Sequence, residues 1–85
     1  MNEVIVGRKP LIKYAYAIIE QLKNGDVVVK ARGRNTSKAI DAVEFVKNRN
    51  LAKFKIKDIK ISSDKLVEGS RQRYVSTIEI ELTKK

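Results

Sequence analysis

Apolar residues near the N-terminus change from a short continuous run to a helical spacing. Residues 4–6 form a β-branched run that stops at Gly7, which is typical of a short strand. Pro10 follows, where the first turn of a helix tolerates it. Beyond it the apolar positions lie three or four residues apart, and Asn24-Gly25 supplies a C-terminal stop. The stripe of this first predicted helix consists of Leu11, Ala15, Ile18, Ile19 and Leu22.

A second strand and helix follow with the same change of period. Asp26 opens a strand in which Val27, Val29 and Ala31 share the face that the first helix should cover, while Val28, Lys30 and Arg32 share the other. Residues 35–37 (Asn-Thr-Ser) are able to cap a second helix. Its apolar stripe is predicted at Ala39, Ile40, Val43 and Val46. Its solvated side is predicted at Lys38, Asp41, Glu44 and Lys47.

The last third of the chain is extended in two segments. In residues 54–63 the apolar positions change face, which a bulge near Lys57 and Asp58 would reconcile. The segment from Tyr74 to Thr83 alternates regularly, with Ile78, Ile80 and Leu82 facing the core. The connection over residues 62–73 holds no long apolar run, so we expect a flexible hairpin arm that projects from the body.

The predicted order is therefore β-α-β-α-β-β within one domain spanning residues 1–85. Right-handed crossovers would place both helices on one face of a mixed four-stranded sheet, giving an α+β two-layer sandwich. The sequence holds no repeat, linker or low-complexity tract. A chain this short buries only about 60% of the surface that its unfolded form exposes, so pairing with a second copy would hide more apolar area.

Charge changes the picture from fold to partner. With 19 Lys and Arg against 10 Asp and Glu, the formal charge is +9 at pH 7. Such a field favours polyanions, with nucleic acid as the leading candidate. A membrane surface or an acidic protein would also attract this charge, so charge alone does not choose among them.

The sequence lacks the residues that several classes of function require. The chain has no cysteine and no histidine, which removes disulfides, the usual zinc sites and imidazole catalysis. The carboxylates form no convincing acid-base pair, and no phosphate-cradling GxxxxGK loop is present. We expect no enzyme, no cofactor and no metal site. The three-residue apolar run before Arg8 is too short for a signal peptide or a membrane span, so we expect a soluble cytoplasmic protein.

Basic residues cluster at three predicted places. The first cluster, in the loop and opening turn of helix one, consists of Arg8, Lys9 and Lys13. The second, around the turn before helix two, consists of Lys30, Arg32, Arg34 and Lys38. The third, on the arm, consists of Lys65, Arg71 and Arg73. Since the ends of parallel strands lie side by side, the first two should converge with two helix N-termini into a phosphate-binding ridge. The alternatives are solubility charges for these two clusters and a mobile polar loop for the arm.

Three segments resemble the Alba family of archaeal chromatin proteins. They are GRKP at residues 7–10, KARGRNTSKAIDAVEFVKNR at residues 30–49 and SRQRYVSTIEIEL at residues 70–82. The similarity covers almost the whole chain in the family's order, and the middle segment is the most specific.

The resemblance implies a fold like the C-terminal domain of translation initiation factor three, a homodimer, and binding of double-stranded DNA with little sequence preference. It implies a chromosome-associated protein that coats and compacts DNA, with RNA as a further ligand. Arg8 and Lys9 match the family's basic loop, Arg32 and Arg34 its ARGR turn, and Arg71 and Arg73 its arm, which is thought to contact the minor groove.

Two positions depart from the family pattern. Arg8 stands where members typically carry a lysine that is acetylated in some of them, so only Lys9 is left for such a modification in this loop. Asn50 stands where members often carry an aromatic residue that packs one dimer against the next, so side-by-side coating is expected to be weaker. Two other readings stay open: an RNA chaperone or ribonucleoprotein subunit, and a dimeric scaffold whose basic face binds an acidic protein.

Overall fold

A computed structural model describes residues 2–85 and contains six elements in the predicted order. They are β1 (Asn2–Val6), α1 (Leu11–Leu22), β2 (Val27–Arg32), α2 (Asn35–Asn48), β3 (Phe54–Glu68) and β4 (Arg71–Lys84). The helix α1 begins at Leu11, so Pro10 lies at the N-cap position directly before its first turn.

The four strands form one mixed sheet in the order β1-β2-β4-β3. β1 runs parallel to β2, with Val6 opposite Ala31, and the β2–β4 and β4–β3 pairs are antiparallel. Because the parallel strands end side by side, the loop after β1 and the turn after β2 leave the sheet at the same end. This confirms the predicted α+β sandwich.

The core lies between the helices and one face of the first three strands of that order. Its fully or nearly buried members are Val4, Val6, Ala15, Ile18, Leu22, Val27, Val29, Ala31, Ala39, Ala42, Val43, Val46, Ile78, Ile80 and Leu82. The predicted inward faces of β2 and β4 are confirmed. The opposite face of the sheet, here called the open face, is covered by neither α1 nor α2 and includes Glu3, Lys30 and Glu79.

The stripe of α2 differs from the prediction at one position. Ile40 is 44% exposed, whereas Ala42 is completely buried. The cause is close packing of α2 against α1 and β2, which leaves room for alanine at 39 and 42 and turns the larger Ile40 outward.

The two ends of α2 are built differently from each other. The expected capping by residues 35–37 is wrong: Thr36 Oγ1 donates to the carbonyl of Gly33 at 2.9 Å instead of accepting an N–H. Gly33 has φ +61° and donates its N–H to the carbonyl of Ser76 in β4 at 2.7 Å.

At the C-terminal end of α2, Asn50 has φ +53°. The amide of Asn50 donates to the carbonyl of Lys47, and the amide of Leu51 donates to the carbonyl of Val46. This pattern is a Schellman motif with asparagine in the left-handed position.

The connection between β3 and β4 is the predicted hairpin arm, and it is a paired ribbon almost to its tip. The antiparallel register continues without a break from Ile59–Ile80 to Glu68–Arg71, and only residues 69–70 form the turn. The predicted bulge is confirmed between Ile56 and Asp58. The ribbon accounts for the long axis of the molecule, 47 Å against 23 and 19 Å across.

Candidate nucleic-acid interface

Two basic segments meet at the end of the sheet where β1 and β2 stop. Arg8, Lys9 and Lys13 come from the loop and first turn after β1, and Arg34 comes from the turn after β2. All four residues are exposed, and within residues 2–85 none of them enters an ion pair. We call these four residues the loop ridge. The predicted convergence of two loops and two helix starts is confirmed for this set.

Lys38 lies at the same end but its ammonium is engaged by the backbone. Its Nζ donates to the carbonyl oxygens of Gly7 and Lys9, both at 2.8 Å, and lies 5.9 Å from the centre of the Tyr14 ring. The half-buried Lys38 therefore joins α2 to the loop after β1. The prediction from charge spacing, that Lys38 lies on the solvated side of the helix, is wrong.

Lys30 belongs to the open face and not to the turn before α2. Its Nζ lies 2.7 Å from a carboxylate oxygen of Glu3 and 3.7 Å from one of Glu79. The hydrogen bond and charge of Glu3, followed by the smaller contribution of Glu79, raise the pKa of Lys30 above its usual 10.5. Because β2 lies between β1 and β4, carboxylates from both neighbouring strands pair with the positive charge of Lys30.

Arg32 also lies on the open face, where it is aligned with the arm. Its guanidinium is 3.9 Å from Asp64 of β3, in an exposed pair. In the β3–β4 register, Asp64 faces Val75, Leu66 faces Arg73 and Glu68 faces Arg71. Since alternate residues of a strand share a face, Arg73 and Arg71 continue the open face outward from Arg32. We call Arg32, Arg73 and Arg71 the arm row.

Lys65 stands apart from the arm row. It pairs in register with Tyr74, one position from Arg73, and so lies on the opposite face of the ribbon. The ten predicted residues thus divide into a loop ridge of four, an arm row of three, and three separate lysines at positions 30, 38 and 65. Their role in binding stays a prediction.

An apolar surface that the sequence analysis did not single out lies along β3. The face of β3 that continues the helix side of the sheet carries Ile56, Ile59 and Ile61, which are 39, 49 and 76% exposed. The helices pack mainly on β1, β2 and β4, which leaves these three side chains of the edge strand exposed. Alternation across the bulge was the available signal, but it does not reveal that two helices cover only three strands.

Ile40 of α2 extends this surface. Lys38 approaches Tyr14 of α1, and a residue two positions further on points about 200° around the helix, so Ile40 lies on the flank away from α1. That flank faces the side of the sheet on which β4 and β3 lie, since α1 covers β1. We call Ile40, Ile56, Ile59 and Ile61 the apolar strip.

Neither helix is long and apolar enough to cross a membrane. Over residues 2–85 the acidic side chains form no group of three or more that would hold a metal ion.

A two-layer domain of β-α-β-α-β-β order, with basic loops at one sheet end and a basic two-stranded arm, defines a recognisable architectural class. The family model named Alba matches residues 2–63. The chain belongs to the Alba family, which confirms the resemblance drawn from its three segments.

Relatives and solved structures agree with this membership. The chain is 48% identical over 90 residues to the DNA/RNA-binding protein Alba of Nanoarchaeum equitans (strain Kin4-M), covering 100% of both chains. It is 43% identical over 86 residues to the DNA/RNA-binding protein Alba 1 of Archaeoglobus fulgidus, covering 99% of this chain and 97% of the relative. Neither relative is named as an enzyme, in agreement with the expectation that this chain is not one.

The structure of Alba from Thermoplasma volcanium superposes with a TM-score of 0.84 at 32% identity, covering 98% of this chain and 100% of that one. The structure of ALBA1 from Trypanosoma brucei superposes with a TM-score of 0.70 at 28% identity, covering 98% of this chain and 68% of that one.

Proposed function

We propose that this protein binds nucleic acid as a homodimer, coating and compacting duplex DNA through its phosphates with little sequence preference. The observation that carries the proposal is the loop ridge: four exposed cations from two segments lie at one end of the sheet and make no ion pair with any other described residue. Free guanidinium and ammonium groups position a protein on the backbone without reading bases. The names of the relatives, DNA/RNA-binding proteins, support the same ligand class.

The arm row supplies a second contact. A ribbon of two strands is narrow, and Arg73 and Arg71 point from the same face of it. A basic ribbon of this kind suits a groove, where arginine reads groove width more than sequence. In this proposal Arg32, at the base of the arm, exchanges its weak contact with Asp64 for a phosphate.

The dimer is proposed to form through the apolar strip. Single exposed apolar side chains are ordinary, but here four exposed isoleucines lie on one edge strand and on the flank of α2 that faces its side of the sheet. A second copy would cover this strip by two-fold symmetry and would carry two arms and two loop ridges. Cytoplasmic, chromosome-associated placement follows from the same ligand.

A salt titration tests phosphate binding directly. Each phosphate neutralised should contribute about 0.9 to the slope of log affinity against log salt concentration. Replacing Arg34 with alanine should lower that slope by about this amount, and by the same amount on DNAs of unrelated sequence. Lys47→Ala is the matched control, since it removes an exposed cation on the distant turn of α2. Affinity independent of salt would refute the proposal.

RNA binding is the second candidate, because the relatives are named for both nucleic acids. Competition between DNA and RNA duplexes of matched sequence at fixed salt separates a chromatin protein from an RNA chaperone or ribonucleoprotein subunit. An acidic-protein scaffold would shift neither duplex. Strong loss of affinity on one sequence only, after Arg32→Ala and Arg34→Ala, would indicate base readout instead.

A further inference from the structure

We infer that Lys38 is a positioning residue for the loop ridge and not one of its phosphate contacts. This inference rests on the proposed function, because it assigns how Arg8 and Lys9 are held for binding. Lys38, which the charge pattern assigns to the interface, then holds the loop in place and does not bind a phosphate.

The ammonium of Lys38 already has the partners that a phosphate would replace. Two of its three N–H donors point at the carbonyl oxygens of Gly7 and Lys9 at 2.8 Å. Hydrogen bonds from a charged donor are about twice as strong as neutral ones. A phosphate could reach only the third donor without breaking the contacts that hold the loop.

Tyr14 of α1 fixes the same loop from its other side. Its hydroxyl accepts the amide N–H of Lys9 at 3.1 Å, and a Cβ at Gly7 would lie 3.3 Å from that hydroxyl. The loop backbone is therefore bonded through an amide to α1 and through two carbonyls to α2. Arg8 stands between the two bonded carbonyls, with its own side chain exposed.

Holding this backbone in place removes an entropic cost from binding. If the backbone of one residue must be ordered on binding, the affinity of the protein for its ligand falls about tenfold. With Lys38 present, the protein meets this cost in folding, so Arg8 and Lys9 meet phosphates from a fixed loop. Without Lys38, both side chains would bind from a mobile one.

A double-mutant cycle distinguishes positioning from contact. Lys38→Met removes the donors and keeps much of the apolar stem, and its effect on duplex DNA affinity is measured in the wild type and in an Arg8→Ala, Lys9→Ala background. Positioning predicts a loss of about tenfold in the wild type and almost none in the double variant. Lys38→Arg, which retains two N–H donors for the carbonyls, should restore most of the affinity. Lys47→Met controls for the loss of one charge on the same helix.

Equal losses in both backgrounds, with the salt slope falling by about 0.9 in each, would make Lys38 a phosphate contact and overturn the inference. No loss in the wild type would overturn it as well. Hydrogen exchange on the protein without DNA separates this from failure of the proposed function: Lys38→Met should speed exchange of the Lys9 amide severalfold, and Lys47→Met should not. An unchanged Lys9 amide refutes positioning even if the protein binds DNA well.

Discussion

Ile61 provides the sharpest test of the proposed dimer. It is the most exposed member of the apolar strip, at 76%, and it lies in β3 opposite the buried Ile78 of β4. A serine at this position keeps the strand and removes the apolar surface. We therefore expect Ile61→Ser to weaken self-association without unfolding the monomer.

The size of the effect follows from exposure and symmetry. Fully burying an isoleucine side chain contributes about 1.5–3 kcal/mol. Three quarters of Ile61 is available for burial, and a two-fold axis counts the substitution once in each copy. If the dimer buries it completely, the loss is about 2–5 kcal/mol, which raises the dimer dissociation constant at least about 30-fold.

Sedimentation equilibrium over a range of protein concentrations measures that constant. Ile5→Ser is the matched control, because Ile5 is 69% exposed but lies on the open face. The control should leave the dissociation constant unchanged. A wild-type protein that stays monomeric at high concentration would refute the apolar strip as an interface, and so would equal effects of the two substitutions.

Three further outcomes are expected from other parts of the chain. Asn50→Gly should leave the melting temperature unchanged or higher, whereas Asn50→Phe should lower stability by about 1–2 kcal/mol in a thermal melt, because φ +53° disfavours a bulky side chain. Leu82→Ala, at a completely buried site, should cost about 2–5 kcal/mol in urea unfolding without changing the slope m. Because Glu3 raises the pKa of Lys30, the ion pair between them stabilises the fold at neutral pH and loses this effect only as the pH rises through the raised pKa. The difference in melting temperature between the wild type and Lys30→Met should therefore shrink only in strong alkali.

The fold could be predicted from the sequence where one face of an element is buried. β2 and β4 alternate cleanly because helices cover one face only, and the stripe of α1 matches its buried residues. Prediction was wrong where a neighbour decides the outcome. Ile40 fits a helical stripe but points away from α1. The hairpin arm is confirmed, but the length of its two strands was not predictable, because the arm has no buried face and therefore no alternation.

The site was predictable as a place but not as a set of contacts. Clusters of charge after two parallel strands locate the loop ridge, because topology alone brings those strand ends together. Ion pairs between strands depend on strand order and register, which the sequence does not specify. Lys30 meets Glu3 and Glu79 only because β2 lies between β1 and β4.

Asn50 links local backbone geometry to the way dimers could assemble along DNA. The Schellman motif needs a left-handed residue after α2, and asparagine adopts that conformation more readily than a β-branched or aromatic side chain. An aromatic residue placed here to pack one dimer on the next would compete with the end of the helix. Leu51 follows directly and is 43% exposed, so the next position offers an aliphatic and not an aromatic side chain for such packing. Weak cooperativity along DNA is thus the expected consequence of a well-terminated helix, and a binding isotherm on long DNA with a Hill coefficient far above one would contradict it.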